Sequence, residues 1–217
     1  MRRRVSLIVI FSLLISFVSI TSVYAKPNRK AALNAYKKYL NKYESQYTQE
    51  EFDSMIPNEE SYKYCSEFAI IDMNGDKIPE LITEHCNGYK DWELNVFTYK
   101  NGKITRLSKS GISMSSNMGG YAYPYFCKQK HLHINSYYGQ MGTEDTAYKL
   151  NKKGKLYNYL KYTEYWYDMD HQDNGTKSYY VNGKKSSYGA YSKLSKNCKE
   201  LKQSYWRENT KVERSKI

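Results

Sequence analysis

The sequence predicts an α+β protein, an antiparallel β-meander of about seven to nine strands flanked by an N-terminal and a C-terminal helix. Three observations carry this. The middle of the chain is a run of short alternating apolar segments broken by Asn-Gly and Lys-Gly turns. A helical apolar period precedes these segments and another follows them. The chain also holds 25 Tyr in 217 residues at a mean hydropathy of −0.82. Tyr fills a core with its ring and keeps its hydroxyl wet, which suits half-buried sheets. The Lys, Asn and Tyr bias also follows from an AT-rich genome, so composition by itself names no partner.

Taken in order, residues 28–43 predict a helix, with Leu33, Tyr36, Leu40 and Tyr43 at spacings of three and four. Thr48 and Glu51 have capping-box spacing before a second short helix that Pro57 ends. "EFAIID" and "ELITEHC" predict two strands around a polar cluster. "DWELNVFTYK" alternates, and Asn101-Gly102 turns it into "KITRLSKS". A loop spans 111–120. "YAYPYFCKQ" and "HLHINSYYG" follow, Pro124 placing the first at a sheet edge. A hairpin turns at Lys153-Gly154, a polar loop holds Asp168, Asp170 and Asp173, and Asn182-Gly183 makes the last turn. Tyr188, Tyr191, Leu194, Cys198, Leu201 and Tyr205 predict a closing helix with Cys198 on its buried side. The reading is a signal peptide over 1–25, one domain over 26–206 and a frayed polar tail over 207–217.

Arg2, Arg3 and Arg4 precede a long apolar stretch ending in Val23-Tyr24-Ala25. Small residues at 23 and 25 fit a signal-peptidase site with cleavage after Ala25, so the protein is expected to be secreted. The alternative is an uncleaved anchor, since the stretch approaches the roughly 20 residues that span a bilayer. The formal charge of +12 falls by three when the signal arginines are removed. In an exported protein this favours anionic cell-wall polymers or phospholipid over nucleic acid. Tyr and Trp beside Lys also suit carbohydrate stacking, with Trp92, Trp166 and "YAYPY" as candidates.

Cys65, Cys86, Cys127 and Cys198 allow two disulfides in three pairings. If Asp72 faces Glu80 across a hairpin, Cys65 faces residue 87, and a bulge brings it to Cys86. That bridge closes a loop of about 20 residues and is worth roughly 3 kcal/mol. Cys127–Cys198 would then tie the closing helix to the sheet; Cys86–Cys127 is the alternative.

Residues 72–80 carry the sharpest motif. Asp72, Asn74, Asp76 and Glu80 place oxygens at positions one, three, five and nine, and Ile78 offers a backbone carbonyl at seven. A hard cation such as Ca²⁺ takes six to eight oxygens at one point. Gly75 permits the turn, and Pro79 restrains the exit. The alternative is an Asx-stabilised turn without metal.

"DMNGDKIPELI" resembles the calcium loops of FG-GAP and related integrin-type repeats, D-x-[DN]-x-D-G-x-x-D-L between two apolar strands. The likeness covers about 15 of 217 residues. It implies Asp72, Asn74, Asp76, the Ile78 carbonyl and Glu80 as calcium ligands. Lys77 stands where the repeats have Gly, and Glu80 where they have Asp. The whole chain resembles uncharacterised exported proteins of Gram-positive bacteria that carry one D-x-[DN]-G-D-x-x-P-E-L loop after a helix, followed by Y-x-N-G-K hairpins. Tyr99–Lys103 and Tyr180–Lys184 match those hairpins. The resemblance implies export and an α+β form, with no activity attached.

His131 and His133 share a strand face, where zinc would need a further ligand that the sequence does not identify; they read as rim histidines. Glu84 and His85 form a possible acid/base pair without a nucleophile. No G-x-S-x-G, H-E-x-x-H, P-loop or dinucleotide fingerprint is present. The expectation is an exported, calcium-stabilised binding or structural module at a bacterial surface. The alternative is a secreted hydrolase or an inhibitor of one.

Overall fold

A computed structural model describes residues 28–43, 65–86, 92–108, 111–114, 121–151, 153–166, 175–196, 198, 200 and 205–217. The signal segment, the short helix expected near 48–56, residues 115–120 and the Asp168–Asp173 loop lie outside them. The chain is α+β, with antiparallel strands in two sheets.

Helix α1, Arg29–Lys42, begins where the Asn28 side chain accepts the Lys30 N–H at 2.8 Å. This satisfies one of the first-turn donors that a helix leaves open. Strands β1 (Cys65–Ile71), β2 (Glu80–Cys86), β3 (Trp92–Lys100) and β4 (Lys103–Arg106) form consecutive hairpins. The β3–β4 turn uses Asn101 and Gly102, both at positive φ, as the sequence signal requires. A two-residue strand β5 (Ile112–Ser113) pairs with the other end of β3.

The second sheet is a meander of β6 (Tyr121–Phe126), β7 (Leu132–Tyr137), β8 (Gly142–Leu150), β9 (Leu156–Tyr165), β10 (Thr176–Val181) and β11 (Lys184–Ser186). Pro124 lies on β6, the sheet edge, as expected. Gly142 opens β8 at φ 144, where an added Cβ would stand 2.0 Å from the Glu164 carbonyl oxygen.

One face of each sheet meets the other. Ala69, Ile71, Ile82, Leu94 and Val96 pack against Phe126, Leu132, Ile134 and Leu150. Each large side chain buried there contributes about 1.5–3 kcal/mol relative to exposure. The opposite face of the first sheet, through Phe68, Leu81 and Phe97, takes Ala32, Tyr36 and Leu40 of α1. The layers are therefore helix, sheet, sheet. The outer face of the second sheet carries Tyr125, His131 and His133 on alternate positions from the core residues.

Three expectations need correction. The closing helix is short: α2 spans only Tyr188–Ser195, with no residue buried and Tyr188 63% exposed. It ends early because Cys198 turns back, its N–H donating to the Ser195 carbonyl at 2.7 Å, and Glu200 then bridges Cys127. The 207–217 segment is ordered, not frayed. Strand β12 (Trp206–Glu208) pairs with β1, and helix α3 (Lys211–Ser215) packs near α1. Asn209 donates to the carbonyls of Leu40 and Tyr43, and Arg214, 2% exposed, donates to Asn209. Finally, Ile71 rather than Asp72 faces Glu80, because Asp72 leaves the ladder to accept loop N–H groups. The bulge lies between Cys65 and Glu67 and sets Cys65 opposite His85.

Candidate functional site

The 72–80 hairpin folds as a chain of local acceptors. Asp72 accepts from the N–H groups of Gly75 at 2.7 Å and Lys77 at 3.0 Å. Asn74 accepts from Asp76 at 2.9 Å, and Asp76 accepts from Ile78 at 2.7 Å. Lys77 sits at φ 72, a left-handed conformation that favours glycine. Glu80 is fully buried, accepting from the Met73 N–H at 2.9 Å and the Thr98 hydroxyl at 3.3 Å. Burial pushes its carboxyl up to about 7; the Met73 N–H opposes this, and the Asp76 and Asp72 charges add to it. The Tyr36 hydroxyl donates to the Pro79 carbonyl at 2.8 Å, fixing the hairpin to α1.

A second constellation lies on the outer face of the second sheet. The β6–β7 turn sets Cys127 against His131, whose carbonyl accepts the Cys127 N–H at 3.1 Å. His133 follows two positions along β7. The chain beyond α2 lowers Cys198 onto these residues. Cys198 Sγ lies 3.1 Å from Cys127 Sγ, 3.2 Å from His133 Nε2 and 3.8 Å from His131 Nδ1. His133 Nδ1 lies 2.9 Å from Asp145 Oδ1, and the Tyr125 hydroxyl donates to Asp145 Oδ2 at 2.7 Å.

Cys127 is fully buried, and both histidines are 4% exposed. They are not rim residues, because Cys198 and Glu200 cover the face that the hairpin order alone leaves open. Cys127 and Cys198 are free thiols rather than the expected disulfide, their separation being that of a hydrogen bond and not the roughly 2.05 Å of an S–S bond. The Cys198 thiol donates to Cys127 and holds the latter well below the usual thiol range. Burial opposes the charged form of His133, but the Asp145 hydrogen bond and the Cys127 sulfur push it up to about 9.

The third feature is a cleft of about 820 Å³ lined by Glu67, Glu84, Tyr123, Tyr125, Tyr205 and Trp206. Glu67 and Glu84 face each other across β1 and β2 and are hydrogen-bonded together. Burial, followed by the Glu67 charge, pushes Glu84 up to about 8. Glu84 and His85 alternate to opposite faces, and His85 bonds Thr83 at 2.8 Å instead. Trp92 packs against the inter-sheet core and Trp166 meets Tyr137 edge-on, so the aromatic candidates that reach the cleft are those of "YAYPY".

The structure thus keeps Asp72, Asn74, Asp76, Ile78 and Glu80 in one hairpin and brings Cys127 to Cys198. The side chains of Cys65 and Cys86 lie outside the described residues. Among the described residues no helix is long and apolar enough to cross a membrane. Sequence reasoning missed the union of the two histidines with the two cysteines, although C-x-x-x-H-x-H over 127–133 was a readable signal. No family model, curated protein or solved structure matches the chain. The likeness to FG-GAP loops and to exported Gram-positive proteins therefore rests on the quoted motifs.

Proposed function

We propose that the protein is an exported binding module of a Gram-positive bacterial surface, stabilised by calcium in the 72–80 hairpin, with its inter-sheet cleft open to carbohydrate. The observation that carries the reading is the make-up of the cleft. Tyr123, 42% exposed, stands beside Tyr125 with ring centroids 6.1 Å apart, and the Glu67–Glu84 pair supplies hydroxyl acceptors. Aromatic faces with polar anchors are the usual equipment of a small-ligand site. The same carboxylates disfavour an anionic wall polymer in this cleft. A glycosidase is also disfavoured, because its two carboxyl groups stand about 5 Å or more apart, whereas these are bonded to each other.

The calcium reading rests on donor type and charge in the hairpin. Asp72, Asn74, Asp76 and Glu80 carry oxygen donors of the type calcium takes, but both oxygens of each carboxylate accept from the loop, from Thr98 or from the Asn74 amide, so calcium binding requires these side chains to turn toward one point. Among the described residues no Lys or Arg pairs with Asp72 or Asp76, which leaves their negative charge for a cation to neutralise. Export rests on residues 1–25. Of the expected disulfides, Cys65–Cys86 is kept as an expectation from sequence, although the β1–β2 register pairs Cys65 with His85.

Two measurements test it. Calcium at 100 times its Kd is expected to raise stability by about 2.7 kcal/mol over chelator, or about 5–10 °C in Tm for a chain of this size. An unchanged Tm removes the calcium. Neutral wall-derived oligosaccharide is expected to quench Trp fluorescence saturably, at least fivefold more weakly in Tyr123→Ala. A flat titration removes the cleft reading.

A further inference from the structure

The Cys127, His131, His133 and Cys198 cluster lies apart from the calcium hairpin and meets the cleft only at its edge, through Tyr125 and Glu200. Cys127, His131 and Cys198 each bring a ligand atom within 4.8 Å of the others. His133 adds Nε2 at 3.2 Å from Cys198 Sγ, and Cys127 also bonds this ring. We propose that these four side chains form a four-coordinate site for zinc or a similar soft divalent metal, clamping the chain beyond α2 to the outer face of the second sheet.

The donor set is two sulfurs and two imidazole nitrogens, which is the composition of structural zinc sites. With Zn–S of about 2.3 Å and Zn–N of about 2.0–2.1 Å, tetrahedral donors stand roughly 3.3–3.8 Å from one another. From Cys198 Sγ the other three donors stand at 3.1, 3.2 and 3.8 Å; His133 lies outside the group of three whose ligand atoms are all within 4.8 Å of one another, so its ring must swing inward to close a four-donor shell. Two thiolates on a dication also make a neutral unit, which suits a buried position.

The surroundings agree. Metal-bound histidine regularly gives its other ring nitrogen to a carboxylate, and His133 meets Asp145 at 2.9 Å, itself held by Tyr125. His131 is steadied by an edge contact with Tyr159, centroids 4.9 Å apart. A disulfide uses two of the four donors and leaves the histidines unexplained. A Cys198–His133–Asp145 nucleophile leaves Cys127 and His131 unexplained and sets its sulfur in a crowd of four polar neighbours, Gln129 at 3.6 Å being the fourth.

The purified protein, reduced and stripped with chelator, is titrated with Zn²⁺ and separately with Co²⁺. One zinc per chain is expected, with the Cys127 and Cys198 thiols protected from a thiol reagent. Cobalt is expected to give tetrahedral ligand-field bands and a sulfur-to-cobalt charge-transfer band, which an all-oxygen hairpin cannot produce. Cys198→Ser is expected to abolish that band. Asp145→Asn, which leaves all four donors in place, is expected to weaken zinc binding 10–100-fold. The proposal is overturned if cobalt gives no sulfur band with folded protein, if Asp145→Asn binds zinc unchanged, or if Cys127 and Cys198 are recovered as a disulfide that zinc-loaded growth does not prevent. Stoichiometric alkylation of Cys198 in zinc-saturated protein also overturns it.

Discussion

Replacing Lys77 by Gly should stabilise the protein, with or without metal. Lys77 is held at φ 72, and its N–H donates to Asp72 at 3.0 Å, so the hairpin dictates the conformation. A left-handed residue with a Cβ costs roughly 1–2 kcal/mol. Glycine removes that cost but gives back about 0.5–1 kcal/mol, because the unfolded chain gains freedom. The net gain centres on about 0.75 kcal/mol within a range of about 0–1.5, or about 1.5–3 °C in Tm at the centre for a chain of this length. Thermal melts in chelator isolate this backbone effect. Lys77→Ala is the control, since it removes the charge and keeps the Cβ, and it should gain nothing from conformation. In calcium both substitutions should gain further, because each deletes a positive charge beside Asp72 and Asp76. A Lys77→Gly protein that melts lower than the parent in chelator, or no higher than Lys77→Ala, refutes the reasoning.

The Glu67–Glu84 pair should make stability depend on pH. Its raised folded-state pKa means that the native protein holds a proton the unfolded chain has released between about 4.5 and about 8. Stability contributed by this group therefore falls as pH rises through that window. Glu84→Gln should flatten the slope and raise Tm at pH 8, which differential scanning calorimetry across pH 4.5 to 8 would register. Gly142→Ala should cost at least about 2 kcal/mol, since its Cβ meets backbone 2.0 Å away, and urea midpoints would show it. Gly189→Ala, on α2 with nothing within 4 Å, should be neutral or stabilising in the same assay.

The parts of the fold that local chemistry dictates were legible. Asn28 and the Tyr36–Leu40 spacing define α1, and the Asn-Gly pairs at 101–102 and 182–183 define two hairpins with both residues at positive φ. β5, β11 and β12, two or three residues each, are too short to carry a period, and one meander was expected where two sheets stand. The stripe from Tyr188 to Tyr205 misled because its spacing is helical while its side chains answer to different partners. Tyr191 packs on Tyr162 and Tyr179, whereas Cys198 goes to the histidines. The same distance effect hid the cysteine–histidine cluster, which joins residues 65 to 71 positions apart.

The placement of Asn209 has a kinetic consequence. It closes the end of α1 across 169 residues of chain, and β12 completes the sheet edge beside β1. The second sheet is made of neighbouring hairpins, whereas the first helix and strand must wait for a segment synthesised long after them. Loops of that length form slowly and late. A nascent chain therefore has an unfinished helix–sheet layer at its front and a finished meander behind it. Pulsed hydrogen exchange should find β7–β9 protected before α1, and simultaneous protection would show that the two layers fold as one.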